Sequence, residues 1–277
     1  MKSIFSIDVE DWFNISGEGC EPDISTWDKL PTTVDKDLPR LLQVFAAANV
    51  RVTCFFLGYV AQRFPFLVKE VVRQGHEVAS HGFSHRLVFE QTPDAFYEDV
   101  LHARKLLEDI GGVPVRGHRA AAFSVTAKTP WFFDRLARAG YSYDSSVFPA
   151  GHGVGGRLAA ARLEPHEVVT EHGKLTEFPI TAVRVLGKPM CFFGGGYLRL
   201  FPYSLIRAMG RRALREGRPV VFYIHPREIN PEHPRLPMSL KRRFKSYVNL
   251  RSVEAKLRSI ARDFELTTFA DFMGARA

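Results

Sequence analysis

The first half of the chain alternates short runs of β-branched and aromatic residues with longer stretches of helical spacing. That alternation restricts the fold more than any other feature of the sequence. Ser3 to Val9 reads as an apolar strand, and Leu38 to Asn49 sets Leu41, Leu42, Phe45 and Ala48 on one helical face. Val52 to Leu57 reads as a strand, Tyr59 to Gln74 as a helix closed by Gly75, and His76 to Ser80 as a short strand. Thr92 opens a helix that runs to Ile110, Val113 to Phe123 is extended, and Pro130 to Ala139 is helical before Gly140. Repeated βα units in this order require parallel strands covered by helices, because a parallel connection has to cross back over the sheet. The fold class is therefore α/β.

The second half is less regular. Ser145 to Gly173 has little periodicity and reads as a long excursion, Leu175 to Val185 as extended, and Phe192 to Tyr197 as a glycine-rich turn between aromatics. Pro202 to Glu216 reads as a helix and Pro219 to Ile224 as a very apolar strand ending at His225. Arg227 to Lys245 is proline-rich and then basic, Ser252 to Phe264 is helical, and Glu265 to Phe269 is a strand. No repeat or composition break divides the 277 residues, so residues 1–277 are expected to form one domain with a C-terminal extension from about 228 to 277. Three cysteines (Cys20, Cys54, Cys191) without CxxC spacing suit a reducing compartment. The apolar run at the N-terminus is too short for a signal segment, and no stretch approaches the length of a spanning helix. A cytoplasmic protein is expected. The net charge of +8 permits contact with an anionic surface or polymer without identifying one.

Polar residues gather where these strands end, the edge at which parallel α/β folds place their sites. Asp8-Val9-Glu10-Asp11 follows the first strand, and extended backbone puts Asp8 and Glu10 on one face. Two carboxylates side by side repel unless a metal or a shared proton lies between them; a solvated acidic turn is the plainer alternative. His81-Gly82-Phe83-Ser84-His85 sets two imidazoles four residues apart, and two imidazoles with one carboxylate make a common set for Zn²⁺ or another divalent ion. His225 stands at the mouth of a buried strand, as a general acid or as a capped core histidine. Arg119 and Asp144 lie at two further strand ends, suited to orienting a carboxylate and an imidazole.

In this order these segments resemble the polysaccharide deacetylase family, the NodB-homology or carbohydrate esterase 4-like fold, from about Ser3 to Phe272. The nearest likeness is to the branch associated with exosortase and exopolysaccharide loci, through Asp8-Val9-Glu10-Asp11-Trp12-Phe13, Phe193 to Pro202 and Phe222 to Pro231. The resemblance implies a distorted (β/α) barrel of about seven parallel strands. It also implies a metal-dependent hydrolase of N-acetyl groups on the amino sugars of a polysaccharide or lipid-linked glycan precursor. Asp8 would be the catalytic base, oriented by Arg119, and His225 the general acid, tuned by Asp144. His81 and His85 would be metal ligands, with Glu10 as the third and Asp11 as its competitor. The ion would be Zn²⁺, with Co, Ni or Fe as alternatives.

A backbone N–H near Ala122 would hold the oxyanion. Trp12, Phe123 and Tyr197, with Phe13 and Phe192, would stack on sugar rings, core packing being the alternative for each. The chain departs from the family pattern at Arg119-Ala120-Ala121-Ala122-Phe123, where a proline and a serine are usual in place of Ala121 and Ala122, and at His152-Gly153. Three rival readings are a small-molecule amide or ureide amidohydrolase on the same fold, a non-catalytic glycan-binding subunit, and a nucleic-acid binder. The last rests on the basic run Lys241-Arg242-Arg243-Phe244-Lys245 with Arg251, Lys256, Arg258 and Arg262, and no nucleic-acid motif accompanies it. Contact with an anionic membrane surface is the expectation preferred for that segment.

Overall fold

Seven parallel strands lie side by side in the computed structural model, which describes residues 1–17, 21–150 and 161–274. They are β1 (Ser3–Val9), β2 (Thr53–Phe56), β3 (Glu77–Ser80), β4 (Gly117–His118), β5 (Tyr143–Asp144), β7 (Gly173–Glu177) and β10 (Val221–Ile224). Their order across the sheet is β10-β1-β2-β3-β4-β5-β7, and the hydrogen-bonded path ends on β6 (His166–Thr170), antiparallel to β7. A short strand, β11 (Leu266–Thr267), also pairs in parallel with β1, and β8 (Ala182–Val185) forms a separate hairpin with β9 (Lys188–Cys191).

The side-chain alternation of β1 explains both the core and the site. Phe5, Ile7 and Val9 pack into a large apolar cluster that includes Leu41 and Phe45 of α1 (Val34–Ala46) and Leu107 of α4 (Pro93–Gly111). Ile4 points to the other face, into a second cluster with Phe55, Tyr143, Tyr223 and Phe269. Strand period two puts Ser6, Asp8 and Glu10 on the Ile4 side. That face is apolar at its base and turns polar toward the strand's C-terminal end. β1 therefore carries its carboxylates up out of a hydrophobic floor.

Helices cover the outer face where the spacing predicts them, with differences that have local causes. The stretch expected as one helix from Tyr59 to Gln74 is two, α2 (Gly58–Arg63) and α3 (Pro65–Arg73), because Pro65 opens a new helix and cannot continue the old one. Val113 to Phe123 contains only β4 and then a tight turn in which Ala122 and Phe123 take positive φ (49° and 52°). The excursion after Ser145 contains β6; its segment at His152 to Gly156 lies outside the described residues, as does Cys20. Cys54 and Cys191 are buried free thiols.

The glycine-rich turn at Phe192 to Tyr197 leads into a short helix, α6 (Gly195–Leu200). α5 (Phe132–Arg138), α7 (Tyr203–Arg215), α8 (Leu240–Tyr247), α9 (Val253–Asp263) and α10 (Phe269–Gly274) complete the described helices. None of the described helices is long and apolar enough to cross a membrane.

Candidate active site

The C-terminal ends of β1, β3 and β10, together with the turn after β4, meet at one cavity of about 290 Å³. Asp8, Glu10, His81, His85 and His225 all contribute to its wall. The register explains why: Val9 stands opposite Phe56, Phe56 opposite Ser80, and Ile7 opposite Ile224, so residues just beyond these pairs emerge at one level.

Glu10, His81 and His85 are buried, and their ligand atoms lie within 4.8 Å of one another. Glu10 Oε2 is 2.8 Å from His85 Nε2 and 3.8 Å from His81 Nε2. Each imidazole is held from behind through Nδ1. His81 Nδ1 donates to the carbonyl of Arg119 at 2.7 Å, and His85 Nδ1 bonds to Glu21 Oε1 at 2.7 Å. Such outer partners fix the tautomer of metal-binding histidines and leave Nε2 for the ion.

The donor set fits a divalent cation: two imidazole Nε2 atoms and one carboxylate oxygen converge on a polar cavity wall. Burial tends to raise the Glu10 carboxyl, but the charges of His225 and His85 outweigh it and bring it to about 2. Burial pushes His81 down to about 4, keeping it neutral. Burial also opposes charge on His85, but Glu21 and Glu10 carry it up to about 10. A proton thus holds His85 to Glu10, and a divalent cation would satisfy the same pair with more charge.

The turn that aims these histidines is built around Gly82 and Asp99. Asp99, on α4, accepts from the Phe83 N–H at 2.8 Å, the Ser84 N–H at 3.2 Å and the Ser84 hydroxyl at 2.5 Å. Gly82 has φ +71°, and a Cβ there would sit 2.9 Å from Asp99 Oδ2. His85 itself adopts φ 55°, uncommon backbone for a side chain of its size. The pair therefore shares a strained turn.

Asp8 lies beside this set. Its Oδ1 accepts from Arg119 Nη1 at 2.6 Å, and its Oδ2 is 3.9 Å from His225 Nε2. Arg119 is fully buried and bonded throughout, to Ser6 Oγ, the Ser145 carbonyl and Ser145 Oγ, with its guanidinium 4.2 Å from the centre of the Phe55 ring. His225 faces Asp8 and Glu10 through Nε2, 3.5 Å from Glu10 Oε1. Its Nδ1 bonds to Glu228 Oε1 at 2.5 Å. Glu228 is fully buried and also accepts from Arg199, and these charges overcome desolvation and hold its carboxyl well below the usual range.

Residues 20–143 match the family described as "Polysaccharide deacetylase", and residues 145–274 match "Domain of unknown function (DUF3473)". Residues 20–143 thus carry a polysaccharide deacetylase domain. The deacetylase match holds His81, His85 and Arg119, while Asp8 and Glu10 precede it and His225 falls in the second match. A peptidoglycan-N-acetylglucosamine deacetylase of Bacillus cereus is 30% identical over 70 residues, 25% of this chain and 33% of that protein. A peptidoglycan deacetylase of Helicobacter pylori is 29% identical over 110 residues, 40% of this chain and 36% of that protein. The chain thus matches about a third of the length of these relatives. A Mycobacterium smegmatis structure described as a polysaccharide deacetylase superposes with a TM-score of 0.63 at 20% identity, covering 99% of this chain and 90% of that one; the fold is shared.

Five residues expected in the deacetylase site stand elsewhere: Asp144, Asp11, Trp12, Phe13 and Phe192. Asp144 does not reach His225: its carboxylate accepts from Ser146 N–H and Oγ and pairs with His118 Nδ1 at 2.9 Å. Ser146 Oγ in turn accepts from the Ala120 N–H at 2.8 Å, so Asp144 braces the turn after Arg119. The carboxylate on His225 is Glu228. Asp11 faces away from the histidines. It accepts from the Trp12 N–H at 2.8 Å and the Thr33 N–H at 3.1 Å, and burial pushes it up to about 6.

Trp12 is packed against Phe13 with its indole N–H on the Pro31 carbonyl, away from the cavity, and Phe13 and Phe192 are likewise buried in the core. Phe123 and Tyr197 do line the cavity. Much of the basic segment is also committed: Lys256 donates to the carbonyls of Leu198, Arg199 and Phe201, and Arg258 and Arg262 pair with Glu254 and Asp263.

Two carboxylates that hold these imidazoles, Glu228 and Glu21, are not among the residues expected from the sequence. Glu228 had a signal, standing three residues after His225 as in a capping box, which the structure contains. Glu21 lies in a stretch without periodicity and gave none.

Proposed function

We propose that this chain is a metal-dependent hydrolase that removes N-acetyl groups from amino sugars of a polysaccharide or lipid-linked glycan precursor. The observation that carries the reading is the orientation of three groups around Asp8: His81 and His85 present Nε2 to Glu10, and His225 presents Nε2 from the end of β10, which pairs with the other flank of β1. A pure sugar-binding surface needs none of these. A divalent ion, Zn²⁺ being the first choice for this donor set, would be held by Glu10, His81 and His85 and would supply the Lewis acidity that an amide carbonyl requires.

The chain's own groups then divide the proton transfers. Asp8, kept in place by Arg119, takes a proton from water as its oxygen bonds to the acetamide carbon. The turn at Ala122, part of the cavity wall, faces the oxygen that gains charge. The C–N bond breaks as His225, oriented by Glu228, gives its proton to the leaving nitrogen. Acetate and a free amino sugar are the products. Phe123 and Tyr197 flank the sugar from the cavity wall.

The reading includes a cytoplasmic chain that touches an anionic bilayer through α8, where Leu240 and Phe244 are 84% and 58% exposed beside Lys241 and Arg243. Loss of anionic-liposome binding in Lys241→Gln/Arg243→Gln is expected, and unchanged binding removes that part.

The test of the main reading is metal content by mass spectrometry together with acetate release from N-acetylated oligosaccharides. About one ion per chain, lost with acetate release in His81→Ala/His85→Ala, supports it. Turnover of small amides alone would favour the amidohydrolase. No ion after reconstitution would favour a glycan-binding subunit.

A further inference from the structure

Arg227 stands two residues beyond His225, in the 3-10 turn Pro226–Ile229, and contributes to the cavity wall. The residue is only 7% exposed, yet its side-chain Nε and Nη1 are sealed from water without a hydrogen-bond partner. Glu10 and Glu228 lie near enough to feel its charge, but buried N–H groups without an acceptor are costly, and native structures avoid them unless something else completes the site. The neighbouring carboxylate does not serve, because Glu228 already accepts from Arg199 and His225. Glu10, whose charge is felt by Arg227, is held by His85.

The rest of the wall has the same imbalance. Among the described residues lining the cavity, Asp8 and Glu10 are acidic, whereas Arg199, Arg227, Arg242 and Lys245 are basic. Arg242 spends Nη2 on the Ser16 carbonyl and leaves its buried Nε without a partner. Both acids belong to the end where the acetamide would react. The basic groups occupy the side formed by the turn after His225 and by α6 and α8.

We propose that Arg227, with Arg242 and Lys245, forms an anion-binding subsite, and that the substrate is a glycan carrying a carboxylate or phosphate beside its N-acetylated sugar. A guanidinium recognises either group through charge-assisted hydrogen bonds, which are about twice as strong as neutral ones. This rests on the deacetylase reading for the identity of the ligand as a glycan. The unpaired arginine itself is independent of it.

The test separates the two. Binding to the metal-loaded full chain is measured by calorimetry for chitotetraose (neutral), a hyaluronan tetrasaccharide (carboxylates) and a chitooligosaccharide 1-phosphate, with acetate release followed in parallel. At least about tenfold tighter binding of one anionic ligand over the neutral one is expected, weakening with salt. The preferred arm names the group. Arg227→Gln should collapse that ratio, and Arg227→Lys should keep part of it, which also covers the case in which the glutamine variant does not fold. Equal binding of neutral and anionic ligands, or an unaltered ratio in folded Arg227 variants, overturns the subsite whether or not acetate is released. Preferential anionic binding without acetate from any ligand keeps the subsite and sinks the deacetylase.

Discussion

Glu228 binds two side chains from different parts of the chain at once: Oε1 accepts from His225 Nδ1 at 2.5 Å, and Oε2 accepts from Arg199 Nη1. Glu228→Gln removes the charge that steadies a protonated His225 and leaves Arg199 buried without a counter-ion. A fall in kcat of about tenfold or more is expected, with a stability loss of about 3 kcal/mol. Steady-state acetate release and urea denaturation read the two effects separately. Full kcat in the variant would detach Glu228 from the chemistry.

The third metal ligand is decided by comparing neighbours. Glu10→Ala should leave the purified chain with almost no bound ion, whereas Asp11→Asn, whose carboxylate faces Trp12 and Thr33, should keep it. Glu21→Gln should weaken metal affinity by about 10- to 100-fold by loosening His85. Competition with a metallochromic chelator measures all three. An Asp11→Asn protein that cannot hold metal would reverse the assignment.

Gly82→Ala tests the turn that carries the histidines. With φ +71° and a 2.9 Å approach to Asp99, the added methyl opposes both the backbone and the hydrogen bonds that Asp99 accepts. A loss of about 1–3 kcal/mol is expected, accompanied by weaker metal retention. A neutral result in thermal unfolding would show that the turn relaxes freely.

His233 supplies a pH dependence away from the metal set. Burial, reinforced by the charge of Arg227, pushes its imidazole down to about 4, and its buried Nε2 has no partner. Between the ordinary value near 6.5 and 4 the unfolded chain binds more protons than the folded one. Stability therefore falls as pH drops through that window, by on the order of 2 kcal/mol. Replacing His233 with Gln should flatten this part of the profile in urea titrations; an equal slope in both proteins would remove His233 as its source.

The sequence exposed those parts of the site that depend on one strand and its end. Asp8, Glu10, His81, Arg119 and His225 follow directly from β-period and position, because parallel neighbours lift their last residues to a common edge. Partners set by the path of loops could not be read in that way. Glu21 reaches His85 from 64 residues away, and Asp144 stands beside His118, not His225, because β4 and β5 are adjacent in the sheet. Trp12 reads as a sugar platform in sequence, and only the position of the Pro31 carbonyl shows it is core. Charge along a helix was equally opaque, since Lys256 spends its ammonium on three carbonyls at the end of α6.

β1 receives β10 along Ile4 to Ile7, and Ser6 Oγ donates to the Phe222 carbonyl 216 positions away. The strand holding the proposed base is thus completed by one of the later parts of the chain to be made. During synthesis, the carboxylates on β1 must wait, with one flank of the strand unpaired, until residues near 225 have left the ribosome. A nascent chain that already contains His81 and His85 still lacks His225, the group proposed to protonate the leaving nitrogen. On the proposed reading, hydrolytic competence would arrive only once β10 has paired with β1.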